Sequence, residues 1–164
     1  MSAGLSGEEL LAWNDTTFVR WMELVKRHPE ILRLSCDVYG VGDINGLLHH
    51  IVAAELRYAQ RLFGEVETAY EDIPADVAGM EAAHVGMLKR VRELFADATF
   101  DWEQAVSFQT RSMGSLRASR RTVLNHTLLH GIRHYAQMAM LVRQGGIAPG
   151  WPMDYLFMGV MGRE

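Results

Sequence analysis

NHTLLHGIRHYAQM, residues 125–138, places three histidines at intervals of four. A helix turns about 100° per residue, so a step of four returns to nearly the same side. If the stretch is helical, His126, His130 and His134 form one stripe. The positions around that stripe (Val123, Leu124, Leu128, Leu129, Ile132, Ala136, Met140, Leu141) are apolar and leave little room to turn it into water. A single histidine on an apolar face is ordinary core filler. Three buried imidazoles without partners would cost roughly a few kcal/mol each, so something must satisfy their nitrogens.

A metal ion would. Histidines at i and i+4 bring ring nitrogens within reach of one ion, about 2.0–2.1 Å from each. Positions i and i+8 lie about 12 Å apart along a helix and cannot share it. One of the three is therefore a bystander, and a further ligand must come from a facing helix. The candidates are His49 and His50 in one segment and His84 in another.

Working outward, the histidine stripe belongs to a long helix expected from about Leu116 to Gln144, stopped by Gly145-Gly146 with Arg143 at its negative end. A first helix is expected from about Ser6 to Arg27, because Ser6 with Glu9 matches a capping box and His28-Pro29 ends the run. Residues 29–42 read as an irregular connection with one short helical turn. Asp43 caps a second helix running to about Gly64, and Asp72-Ile-Pro74 opens a third carrying Val77, Met80, His84, Met87, Leu88 and Val91. Residues 97–114 lack helical rhythm, and alternation in QAVSFQTRSMG reads as a strand-like crossover. The tail, IAPGWPMDYLFMGVMG, is rich in Trp, Tyr, Phe and Met and should pack. Four amphipathic segments imply an all-α, antiparallel four-helix bundle with a longer crossover before helix 4, spanning residues 1–164 as one domain.

Composition narrows the function. The chain has 164 residues, 49% hydrophobic and 22% charged, with net charge −4 and pI about 6.0. No basic block offers an electrostatic footprint for nucleic acid. The loose cluster of Arg111, Arg117, Arg120 and Arg121 reads as a solvated helix start. No apolar run of about 18 residues is present to span a membrane. The N-terminus lacks the cationic, apolar character of a signal peptide, and Cys36 is alone, so a reducing, cytoplasmic setting is expected.

Residues 130–137, HGIRHYAQ, resemble the fourth-helix signature of DinB-like proteins, two histidines four apart followed by a glutamine three further on. Residues 50–55, HIVAAE, resemble that family's second-helix signature, a histidine with a glutamate five positions later. PMDYLF resembles its closing segment with an acidic-aromatic pair. All three occur in order, over about residues 8–158. The resemblance implies a four-helix bundle holding a divalent metal through His50, His130 and His134, with His126 a pocket-lining neighbour. One departure stands out. Many members carry a second histidine just before the last ligand and Arg-Gly after it; here Arg133 precedes His134, and Tyr135-Ala136 follows.

The neighbours follow from geometry. Glu55 lies about 140° round the helix from His50 and reads as a structural acceptor or surface charge. Gln137, about 60° from His134, is placed to orient that ring or to sit at the surface. His49 reads as a solvent-edge residue, His28 and His84 as unremarkable. Trp13, Trp21 and Tyr58 read as core, and Cys36 as a small buried residue rather than a soft ligand.

Three neutral imidazoles with an open position would make a Lewis-acid centre for zinc, nickel or iron. DinB-like relatives include transferases and isomerases that use low-molecular-weight thiols such as bacillithiol or mycothiol. The resemblance therefore implies metal-dependent S-transfer from a thiol to an electrophilic small molecule, in detoxification or stress response. The alternatives are metal-dependent hydrolysis, for which no carboxylate lies on the histidine face, and a non-catalytic metal-binding bundle closed by a fourth protein ligand. Met and aromatic residues in the tail and first helix point to a homodimer.

Overall fold

A computed structural model describes residues 4–110 and 113–158. Four long helices dominate: α1 (Gly7–Arg27), α2 (Ile44–Phe63), α3 (Val77–Ala96) and α4 (Arg120–Gln144). Two small antiparallel pairs accompany them. Strands β1 (Ser35–Cys36) and β2 (Gly42–Asp43) close the connection between α1 and α2, and β3 (Ala105–Thr110) with β4 (Gly114–Ser119) forms a hairpin before α4.

Local chemistry sets the helix ends. Ser6 and Glu9 form the expected capping box, and Asp43 caps α2 by accepting from the Gly46 amide. Gly64 ends α2 at φ 83°, a left-handed conformation that glycine adopts without a Cβ penalty. Two starts differ from the sequence expectation. Helix α3 begins after Asp76, not at Asp72-Ile-Pro74; Asp76 accepts from the Gly79 amide, and residues 70–72 form a separate 3-10 turn. Helix α4 begins after Ser119, not at Leu116, because Leu116 pairs with Phe108 across the hairpin. Of the arginines read as a solvated helix start, Arg117 sits on β4, Arg120 lies over the Phe100 ring, and Arg121 pairs with Glu103. Arg111 falls outside the described residues.

The helices form a bundle in which α1 and α4 run one way and α2 and α3 the other. Gly7 at the start of α1 packs against Phe95 near the end of α3 and Leu124 near the start of α4, while Lys26 reaches Glu81. Asn45 bonds the Ala75 carbonyl ahead of α3, and Glu65 just past α2 pairs with Arg90, so α2 and α3 are parallel. Parallel neighbours need a connection that returns the length of the helix. The 64–76 link does this along α2: Glu67 meets Arg57 and Arg61, Thr68 meets Gln60, and Ile73 meets His49.

The core is divided. One apolar cluster gathers Trp21, Ile31, Leu47, Ile51, Met80 and Met138. The other gathers Leu10, Leu62, Met87, Val91, Leu124 and Leu128. Each fully buried aliphatic side chain contributes about 1.5–3 kcal/mol of transfer free energy. Between them, one residue per helix, lie Asn14, Glu55, His84 and Gly131, so a polar layer crosses the middle of the bundle. Of the tail, Trp151 packs edge-on against Trp21 at 5.2 Å and Tyr155 lies 5.4 Å from Trp13, whereas Leu156 and Phe157 are exposed. Residues 159–162 of that segment fall outside the description. No helix among the described residues is long and apolar enough to cross a membrane.

Candidate metal centre

His130 and His134 are one turn apart on α4, and His50 faces them from the antiparallel α2. Their Nε2 atoms converge. His50 Nε2 lies 3.3 Å from His130 Nε2, which lies 3.1 Å from His134 Nε2. Four tetrahedral ligands about 2.0–2.1 Å from an ion have nitrogens about 3.3–3.4 Å apart, so this spacing suits one divalent cation. Among the described residues these three, and no fourth His, Cys, Asp or Glu, bring ligand atoms within 4.8 Å of one another.

The ring orientations fit the same reading. Gln137 Oε1 lies 2.6 Å from His134 Nδ1 and has only lone pairs to offer. The proton of His134 therefore sits on Nδ1, and Nε2 turns its lone pair toward the other two rings. That same lone pair accepts from Arg133 Nη2 at 3.2 Å, a bond that a cation held there would displace. The sequence left Gln137 between an orienting role and the surface; it is the orienting partner.

The electrostatics keep His130 and His134 neutral. Burial pushes the His130 pKa down to about 3, helped by the neighbouring His134, His50, Arg133 and His126. Burial also lowers His134, against the Gln137 bond and with the help of Arg133. His130 Nδ1 has no hydrogen-bond partner among the described residues. Neutral imidazole is the form that ligates a metal.

Tyr39 covers the cluster. Its ring stacks on His50 at 5.5 Å and meets His134 edge-on at 5.5 Å. It does so from a left-handed backbone, φ 52°, which costs a non-glycine residue of order 1 kcal/mol or more. Beside it opens a cavity of about 620 Å³, with His50 and His130 on its wall, bounded by α2, α4, the 64–76 link and the β3–β4 hairpin.

The remaining sequence candidates go elsewhere. His126 lines the same cavity, its ring 5.7 Å from that of His130, outside the converging set. His49 is not at the solvent edge: it is buried, and its Nε2 donates to the Ile73 carbonyl at 2.8 Å, tying down the returning link. Trp21 is fully buried, and Trp13 and Tyr58 pack against the second apolar cluster, Tyr58 lining the cavity as well. Cys36 is free and buried. His28 pairs with Glu30 at the surface.

His84 is the residue that sequence reasoning passed over. It is buried in the polar layer, 3.9 Å from the Phe18 ring in a stacked pair. Its Nε2 lies 3.0 Å from Asp15 Oδ1 and its Nδ1 3.6 Å from Glu55 Oε2. Burial works against its charge, yet the bonds and charges of Asp15 and Glu55 outweigh that and raise its pKa. Glu55 is fully buried and accepts from Asn14 Nδ2 at 2.7 Å, confirming it as a structural acceptor. Gly131 is required there: a Cβ would stand 2.8 Å from Asn14 Nδ2 and collide with Glu55 Oε1. These partners lie 41 and 69 residues apart in the chain, so no local pattern reveals them.

Among known proteins, the family model described as DinB family matches residues 1–161. No curated protein matches the chain.

Proposed function

The chain belongs to the DinB family, and from that premise we propose that it is a single-domain, cytoplasmic, metal-dependent thiol S-transferase acting on electrophilic small molecules. The observation that carries this reading is the convergence of His50, His130 and His134 beside an accessible cavity. A divalent ion such as zinc, nickel or iron, held by these three rings, would supply a Lewis acid able to lower the pKa of a small thiol.

The chain's own residues do the positioning. Gln137 fixes the His134 tautomer, Tyr39 shields one side, and the cavity offers the approach. Hydrolysis fits less well because a water nucleophile needs a base within hydrogen-bond reach. The carboxylate lining the cavity, Glu67, is held by two arginines. A purely structural site fits less well because no fourth ligand joins the three among the described residues. Exposed Val19, Leu156 and Phe157 favour self-association as a homodimer, which sedimentation would read.

Metal content and thiol titration test the proposal. The expected result is one equivalent of divalent metal per chain and small-thiol binding that disappears when the metal is stripped. Thiol binding that survives stripping would overturn the S-transferase reading, and a coordination sphere filled by protein ligands would leave only the non-catalytic one.

A further inference from the structure

Four arginines, Arg57, Arg61, Arg117 and Arg133, line the cavity beside the histidines, against one carboxylate, Glu67. The chain as a whole carries −4, so this cationic excess is local. Arg57 and Arg61, one turn apart on α2, share Glu67. Arg57 Nη2 donates to Glu67 Oε2 at 3.2 Å, and Arg61 donates from Nε and Nη2 to Oε1, each at 2.6 Å. Two guanidinium groups on one carboxylate leave a positive charge uncompensated. Arg57 Nε and Arg61 Nη1 are buried and without an acceptor among the described residues.

Arg61 is also held in place. Its guanidinium lies 4.8 Å from the ring centroids of both Tyr58 and Phe108. Aromatic walls strengthen a fixed charge by excluding water. The grip on Glu67 shows which partner this pair fits, since the guanidinium fork matches a planar carboxylate. Arg57 lies seven residues beyond His50 on the same helix, about 10 Å along the axis.

We propose that Arg57 and Arg61 form a carboxylate subsite, so that the cavity takes an elongated ligand with its acid end at these arginines and its other end at the histidines. Arg117 and Arg133 add to the field that draws the acid in. The inference rests on the S-transferase reading only for the sulfur at the far end of the ligand.

Calorimetry with mercaptooctanoate, its uncharged analogue mercaptooctanol, and mercaptoethanol tests it on the zinc-loaded protein. Mercaptooctanoate is expected to bind about tenfold more tightly than mercaptooctanol, the worth of one charge-assisted bond. Arg57→Gln and Arg61→Gln should each reduce that advantage while leaving mercaptoethanol binding unchanged. Suberate, a dicarboxylate without sulfur, should bind the zinc-free protein and weaken in the same two variants. Equal binding of acid and alcohol, or an acid advantage that survives both substitutions in folded protein, overturns the inference. If no thiol binds while suberate still depends on Arg57 and Arg61, the S-transferase reading fails and the carboxylate subsite stands.

Discussion

His130 and His84 are both tucked between helices near the middle of one bundle, yet their surroundings ask opposite things of the same side chain. Around His130 stand two more imidazoles and Arg133, and its pKa falls to about 3, chiefly through burial, because no neighbour on that side would welcome a second positive charge. Around His84 stand Asp15 and Glu55, which overcome burial and raise its pKa. The first environment keeps a lone pair ready for a cation. The second keeps a proton and spends it on joining helices: His84 from α3 meets Asp15 from α1 and Glu55 from α2. A histidine's role here is read from the sign of its neighbours, not from its depth.

Substitution can separate the two centres. The largest effect is expected from His130→Ala or His134→Ala, which should lower zinc affinity by more than the roughly 10–100-fold that losing an orienting partner costs. His84→Gln should leave zinc stoichiometry at one per chain, as measured by metal analysis after dialysis. If His84→Gln stripped the metal and His130→Ala did not, the division of labour would be reversed.

Next comes the polar layer. Glu55→Ala leaves the Asn14 amide buried without its acceptor and removes the carboxylate 3.6 Å from His84 Nδ1, while His84 keeps its bond to Asp15, a change expected to cost about 3–5 kcal/mol in urea unfolding. A loss within the range of an ordinary surface substitution, about 0.5 kcal/mol, would show that Glu55 is not the hub of that layer. Gln137→Ala should act at the other centre alone. It removes the acceptor of the His134 Nδ1 proton, so zinc binding weakens about tenfold while the urea midpoint stays put.

The smallest effect is a pH slope. His84 has its folded pKa raised above the unfolded value, so its contribution is complete below about pH 6.5 and is lost as pH rises through the folded pKa. Asp15 works in the other direction. Its pKa is lowered by the bond to His84, against burial and helped by the charges of His84 and Arg92, so its contribution holds above its unfolded pKa and is lost as pH falls through the folded one. Stability should therefore decline as pH rises from about 6.5 through the folded pKa of His84, and His84→Gln should flatten that limb of the urea midpoint against pH. An unchanged limb would assign the decline to other groups.

Legibility in the sequence tracked the distance over which each signal acts. Ser6 with Glu9, Asp43, Gly64 and Gly145 are local signals, and they placed helix ends to within a residue or so. The spacing of His130 and His134 is also local, and the family resemblance pointed to His50 across the bundle. The errors came where a remote partner decides. Asp72-Ile-Pro74 looked like the start of a helix, but the link had first to run back along α2, which left the start to Asp76. Leu116 continued an apolar rhythm, but Phe108 across the hairpin claimed it for a strand. His49 and His84 were passed over because their partners, the Ile73 carbonyl and Asp15, lie 24 and 69 residues away.

Gly131 stands next to His130 in the chain and against Glu55 and Asn14 in space. A methyl group at that position would require both Glu55 and Asn14 to give way, since Glu55 Oε1 occupies its place and Asn14 Nδ2 would lie 2.8 Å from it. Gly131→Ala and Glu55→Ala should therefore be non-additive, the second offsetting part of the first. Position 131 and position 55 are thus one choice made twice: the chain accepts a bare backbone at the first so that a full-length acid can occupy the second.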